Sequence, residues 1–236
     1  MKHLDAFSGI GGFALAASWV WGAEYEIHSF VEIEPFCQKV LKKHWPNVPI
    51  HSDIRTYKHD GTAIDLLTGG PPCQATSVAS AIQGCRTGET LYPDMGRVVS
   101  LVRPQWVIVE QPSGNKEWEN SVKTHLEGIG YTVTKLKRQV SDIGGFHQRR
   151  RVFFIANSSG KRFVQVAGFG KPPPAEQVPW PTAPRGAWRS ARTGTCRMDD
   201  GIPDWVDRIK SLGNAIVPQM VVPIMQAIRD IEDGDN

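Results

Sequence analysis

The sequence contains no pair of cysteines at C-x-x-C spacing. Its four cysteines, Cys37, Cys73, Cys85 and Cys196, lie far apart. That excludes a zinc knuckle and a disulfide framework, so no metal is expected and any one of the sulfurs is read as a free thiol. Long apolar runs are missing too: the best stretches, residues 106–109 and 217–228, are too short or too interrupted by polar residues to span a bilayer. Asp5 falls where a secretory leader needs an apolar core, so the expectation is a soluble cytoplasmic protein. There is no internal repeat and no long low-complexity tract.

What is present suits one sizeable domain, with or without a small appendage. The 236 residues are 40% hydrophobic and 22% charged, ordinary globular values that exclude disorder of the chain as a whole. The formal charge of +3 hides an uneven distribution, with −2 over residues 1–80, +4 over 81–156, +6 over 157–197 and −5 over 198–236. A 41-residue stretch in which seven Lys/Arg face only Glu176 carries the kind of local field that attracts a polyanion, although a solvated basic loop would give the same count.

Short apolar strands alternate with amphipathic helical patterns over the first two thirds of the chain, which predicts a doubly wound α/β sheet. Strands are expected at 3–7, 27–32, 63–68, 106–110, 131–139 and 152–157, and helices at 11–21, 35–44, 91–102 and 116–127. After Asn157 the periodicity disappears, and six of the 17 prolines fall between Pro172 and Pro184. Helical patterns return at 204 and at 214–231. Three parts follow: 1–157 as the main domain, 158–202 as an irregular insert, and 203–236 as C-terminal helices.

Five segments carry chemistry. Asp5-Ala-Phe-Ser-Gly-Ile-Gly-Gly-Phe13 is a strand followed by a glycine-rich turn into a helix, which in a parallel sheet opens a crevice at the strand's carboxyl end. It lacks the G-x-x-x-x-G-K-[ST] of a phosphate loop and departs from G-x-G-x-x-G, so neither a triphosphate nor a dinucleotide is the expected ligand. Glu32, ending the second strand, suits ribose hydroxyls, and Asp53 could face an adenine edge; either could equally be a surface carboxylate. Thr68-Gly-Gly-Pro-Pro-Cys73-Gln-Ala-Thr-Ser77 places a thiol behind two stiffening prolines, outside apolar surroundings, which suits a nucleophile. Trp106-Val-Ile-Val-Glu110-Gln111-Pro112 ends an apolar strand in a carboxylate that points into the same crevice. In His147-Gln-Arg149-Arg150-Arg151, alternation puts Arg149 and Arg151 on one face and Arg150 on the other. Leu212-Gly-Asn214-Ala215-Ile-Val-Pro218 opens a helix, with Asn214 a good N-cap.

In this order the segments resemble the DNA cytosine-C5 methyltransferases, specifically small phage-type or orphan members, over roughly residues 3–157 and 201–230. The resemblance implies a Rossmann-like methyltransferase fold with a doubly wound mixed sheet. It also implies S-adenosylmethionine as cofactor, a derivative not being excluded. Cofactor contacts are implied for Phe7, Ser8, Gly9, Ile10, Gly11, Gly12, Glu32, Ile33, Asp53, Ile54, Pro72, Asn214 and Ala215. Catalytic roles are implied for Cys73 as nucleophile, for Glu110 at cytosine N3, and for Arg149 and Arg151 beside the base. The partner implied is double-stranded DNA, met by a monomer in the cytoplasm of a bacterial or phage-infected cell, with the target cytosine flipped out. Gln111-Pro112 stands where the family has Asn-Val, and Thr76 where it usually has Phe. The insert of about 45 residues is far shorter than the family's recognition region, and its penultimate motif is not found. A short target sequence is therefore expected. A tRNA cytosine methyltransferase and an inactive DNA-binding relative are the alternatives.

Overall fold

The computed structural model describes residues 1–72, 90–143, 150–161, 163 and 215–234. Seven strands form one sheet in the order β3-β2-β1-β4-β5-β7-β6. They are β1 (Lys2–Ala6), β2 (Glu26–Val31), β3 (Ile50–His51), β4 (Leu66–Gly69), β5 (Trp106–Pro112), β6 (Thr132–Gln139) and β7 (Arg150–Asn157). The first five run parallel to one another, whereas β7 runs antiparallel to both β5 and β6. The sheet is thus mixed, as expected. Its strand order reverses between β1 and β4, and the carboxyl ends of strands at such a switch point flank a ligand crevice.

Among the described residues, five helices cover it: α1 (Gly12–Trp21), α2 (Pro35–His44), α3 (Tyr92–Val102), α4 (Lys116–Gly128) and α5 (Pro218–Asp233). The period-2 alternation of side chains assigns the two layers. Leu67, Val107, Val109, Val152 and Phe154 pack with α3 and α4 through Met95, Val99, Trp118 and Leu126. Leu66, Trp106, Ile108, Phe153 and Ile155 pack with α1 and α5 through Phe13, Ala17, Ile224 and Ile228. Burial on both faces is why the central strands read as unbroken apolar runs. α2 packs through Leu41 against Phe30 and Ala14.

Two boundaries differ from expectation by three residues or more, for local reasons. The fourth parallel strand starts at Leu66 and not at 63, because the Asp65 carboxylate accepts from the Lys2 amide at 2.6 Å in place of a ladder carbonyl. The last helix starts at Pro218, with extended Val217 as its N-cap, and not at Asn214. Proline favours the first helical position and disfavours helical backbone in the residue before it. The helical pattern at 204 and nearly all of the 158–202 insert lie outside the described residues. Among the described residues, no helix is long and apolar enough to cross a membrane.

Candidate active site

The turn after β1 is built on left-handed backbone. Phe7, Gly9 and Gly11 have φ of 53°, 53° and 86°, a region that a bulky residue such as Phe7 enters only when its surroundings impose it. Ser8 imposes it here: its amide and hydroxyl both donate to the Val31 carbonyl, and the hydroxyl also donates to the Asp5 carbonyl at 2.6 Å. The Glu32 carboxylate completes the turn by accepting from Gly9 N–H at 2.6 Å and from Glu34 N–H at 2.8 Å. Burial pushes the Glu32 carboxyl up, against those two amide bonds.

The glycines of this turn serve different ends. A Cβ on Gly11 would lie 2.6 Å from the Trp45 ring, and one on Gly12 would lie 2.1 Å from Ile216 Cγ2. Both are packing glycines, and Gly12 is where the segment after Ala215 returns to the turn. Gly9 has open space above it. Beside that opening, Ile33 is a large apolar side chain left 56% exposed. Next along the edge, Asp53 caps a single 3-10 turn at Ile54–Thr56 and holds Arg55 in a two-pronged ion pair, closest at 2.6 Å. That pairing holds the Asp53 carboxyl below the usual carboxylate range. Open space, an exposed apolar side chain and a carboxylate at the end of β2 fit a nucleoside.

Across the switch point, β4 ends in the turn Gly69–Pro72, the chain that continues to Cys73. Glu110 and Gln111, both buried on β5, brace this turn. Glu110 Oε2 lies 3.2 Å from where a Gly70 Cβ would be, and the Gln111 amide donates to the Pro71 carbonyl. The Gln111 departure from the family's Asn therefore keeps a bracing amide. Arg151 Nε lies 2.5 Å from Glu110 Oε1. The register explains this pair: Arg151 sits opposite Pro112, and residues two apart on a strand share a face, so guanidinium and carboxylate converge on the side covered by α1 and α5. Arg150 is exposed, as the alternation predicts.

Beneath the β1 turn lies a buried chain that sequence reading did not find. Tyr25 hydroxyl and His3 Nδ1 are 2.7 Å apart, His3 Nε2 and Thr68 Oγ1 are 2.7 Å apart, and Thr68 donates to Asp5 Oδ1 at 2.8 Å. With Thr68 donating to Asp5, its oxygen accepts from His3 Nε2–H, and Nδ1 accepts from Tyr25. Burial lowers the His3 imidazole to about 3 and raises the Asp5 carboxyl well above its usual range. His3 and Asp5 sit on β1, Thr68 on β4 and Tyr25 just ahead of β2, and polar residues inside apolar strand runs were the available signal.

Of the residues proposed from sequence, the fold brings Phe7, Ser8, Gly9, Ile10, Gly11, Gly12, Glu32 and Ile33 to the carboxyl ends of β1 and β2, with Asp53 and Ile54 at the adjoining edge. Glu110 and Arg151 come together across the switch point, and Pro72 lies in the turn that Glu110 and Gln111 brace. Cys73, Ser77, Arg149 and Asn214 lie outside the described residues. Among the described residues, no group of three or more His, Cys, Asp or Glu could hold a metal.

Known proteins match this arrangement. The family described as C-5 cytosine-specific DNA methylase matches residues 1–186. The type II methyltransferase M.NgoPII of Neisseria gonorrhoeae is 32% identical over 165 residues, covering 66% of this chain and 47% of the relative. The chain spans about half the length of the first curated relatives it matches. Among solved structures, a putative DNA modification methyltransferase encoded within an E. coli prophage superposes with TM-score 0.54 at 25% identity, over 67% of this chain and 47% of that one. A methyltransferase of Entamoeba histolytica superposes with TM-score 0.63 at 13% identity, over 100% of this chain and 98% of that one, a likeness of fold. The chain belongs to the C-5 cytosine-specific DNA methylase family.

Proposed function

We propose that the protein methylates C5 of cytosine in double-stranded DNA, with S-adenosylmethionine as donor. The observation that carries this reading is the pair of buried Glu110 with half-buried Arg151, set against the turn that leads into Cys73. A carboxyl held there can hold or donate a proton at N3 of a cytosine, and the guanidinium fixes its orientation and offsets negative charge.

The reaction this supports begins with the Cys73 thiolate adding to C6, which moves the electron pair of the C5–C6 bond toward C5. Glu110 stabilises the ring by protonating N3. S-adenosylmethionine, when bound, supplies the electrophilic methyl group that C5 takes. A base then takes the C5 proton and the N3 proton returns to Glu110, which restores the ring and expels the thiolate. Because C5 and C6 are out of reach inside a duplex, the base is flipped into the crevice.

The nucleoside of the cofactor fits the opening over Gly9, with Glu32 for its ribose, Ile33 against the base, and Asp53 and Ile54 at the adenine edge. Phe7, Ser8, Ile10, Gly11 and Gly12 shape the floor, and we assign Pro72, Asn214 and Ala215 to the same cofactor contacts. Packing of Ile216 on Gly12 supports that last assignment. We assign Arg149 the role of a second active-site cation. We assign residues 1–157 to the catalytic part and 203–236 to C-terminal helices that return to it. Residues 158–202 form a reduced recognition insert whose positive charge meets phosphates. A short target sequence follows, as does action as a monomer in the bacterial or phage-infected cytoplasm.

The test is transfer of labelled methyl from the cofactor to duplex DNA and, in parallel, to tRNA. Incorporation into DNA, mapped to C5 of cytosine, is the expected result. Incorporation into tRNA alone would transfer the assignment to RNA, and binding of DNA without transfer would make the chain a binding relative.

A further inference from the structure

We propose that Arg97 is a positioning residue for the adenine end of the cofactor site, acting through the backbone of the turn that carries Asp53 and Ile54. The proposal rests on the reading that this turn receives the cofactor's adenine.

Arg97 projects from the second turn of α3 and makes its contacts on another element. Its Nη2 donates to the carbonyl of Ile54 at 2.7 Å and of Arg55 at 3.3 Å, and its Nη1 donates to the carbonyl of Tyr57 at 3.4 Å. The three acceptors belong to one 3-10 turn and the residue that ends it. A planar guanidinium can serve carbonyls that diverge in this way; a lysine ammonium on a flexible stem can replace the charge but not the fork.

The rest of the turn explains why such a clamp matters. On its inner side, Ile54 and Tyr57 are buried in the core at 4% and 3% exposure. On its outer side, Asp53 is bound to Arg55, whose amide and guanidinium both donate to it. The carboxylate expected to meet adenine is therefore fixed to Arg55, and Arg97 fixes the main chain of Arg55 to α3. The placement of Asp53 thus depends on a side chain 44 positions away in sequence, on the far side of β4. Arg97 itself is exposed, so its loss removes tethers without opening a cavity in the core.

The experiment measures binding of S-adenosylhomocysteine and of its inosine analogue, which lacks the adenine amino group, to the full chain and to Arg97→Met, Arg97→Lys and Asp53→Ala. Steady-state methylation of duplex DNA is measured alongside. The expected result is that the wild type prefers the adenine compound, and that Arg97→Met weakens it by about tenfold, the equivalent of ~1.4 kcal/mol. Arg97→Met should also lose most of the preference over inosine, with Arg97→Lys in between. KM for the cofactor rises, while kcat and KM for DNA stay within about twofold. In the Arg97→Met background, Asp53→Ala adds little, because the group it removes is already misplaced. If the wild type binds both compounds equally, the adenine reading of the turn fails and takes the inference with it. If the wild type discriminates and Arg97→Met discriminates as well, the reading stands and the role of Arg97 is overturned. A parallel fall in kcat, DNA affinity and melting temperature would likewise overturn it, leaving a plain structural tether.

Discussion

The two sides of the switch point are held by different chemistry. On the cofactor side, around β1, β2 and the Asp53 turn, the restraints run mostly through the main chain. Glu32 accepts backbone amides, Ser8 donates to backbone carbonyls, and Arg97 donates to backbone carbonyls. On the other side, around β4, β5 and β7, the central restraint is a side-chain ion pair between buried Glu110 and half-buried Arg151. A surface made of fixed backbone is preformed, so it selects a ligand by shape. A buried ion pair holds charge that a substrate can engage, and it is costly to leave half-occupied.

That contrast makes the sides separable by mutation. The largest effect is expected for Glu110→Gln, which removes the proposed proton-transfer group and leaves Arg151 without its counter-charge. kcat should fall by about 10²–10⁴-fold, the usual worth of a positioned acid or base. Binding of S-adenosylhomocysteine, measured by calorimetry, should stay close to wild type. A matching loss of cofactor affinity would show that the two sides are one coupled unit.

Gly12→Ala strikes the other side. The added methyl would sit 2.1 Å from Ile216 Cγ2 and 3.0 Å from its carbonyl oxygen, and backbone cannot yield as a flexible side-chain tip does. A loss of about 1–3 kcal/mol in denaturant unfolding is expected, typical of overpacking. KM for the cofactor should rise, with kcat largely recovered at saturating cofactor.

The smallest effect on catalysis is expected beneath both sides, in the chain from Tyr25 to Asp5. His3 has its folded value lowered from 6.5 to about 3, so between those values the unfolded chain binds more protons than the folded one. The stability His3 contributes is therefore present above pH 6.5 and lost as pH falls toward 3. Its share of the slope approaches about 1.4 kcal/mol per pH unit, the value of one proton. His3→Gln should flatten melting temperature against pH by that share between pH 6.5 and 4. An unchanged slope would mean that His3 is not buried neutral.

How far the sequence could be read depended on how local each signal was. β5 and β7 were legible because burial on both faces leaves runs such as Trp106–Val109 and Val152–Ala156 unbroken. The turn after β1 was legible because its backbone needs glycine at positions 9 and 11. The strand order was not, since nothing in β7 states that it runs antiparallel between β5 and β6. The Glu110–Arg151 pairing follows from that order. Arg97 and the His3–Thr68–Asp5 chain were missed because they join residues more than 40 positions apart through the sheet. The start of α5 was misplaced because Asn214 is a good cap, yet Pro218 and the extended Val217 ahead of it decided the boundary.

The central claim is that the turn beyond β4 delivers a nucleophile to a cytosine held by Glu110 and Arg151. Duplex DNA carrying 5-fluorocytosine tests it most directly, because fluorine at C5 cannot leave as a proton does and the thiol addition is trapped. With S-adenosylmethionine present, the wild type is expected to form a denaturant-resistant covalent complex with this DNA, and Cys73→Ala to form none. Wild type that binds DNA and cofactor yet yields no such complex, or Cys73→Ala that traps as well as wild type, would contradict the account.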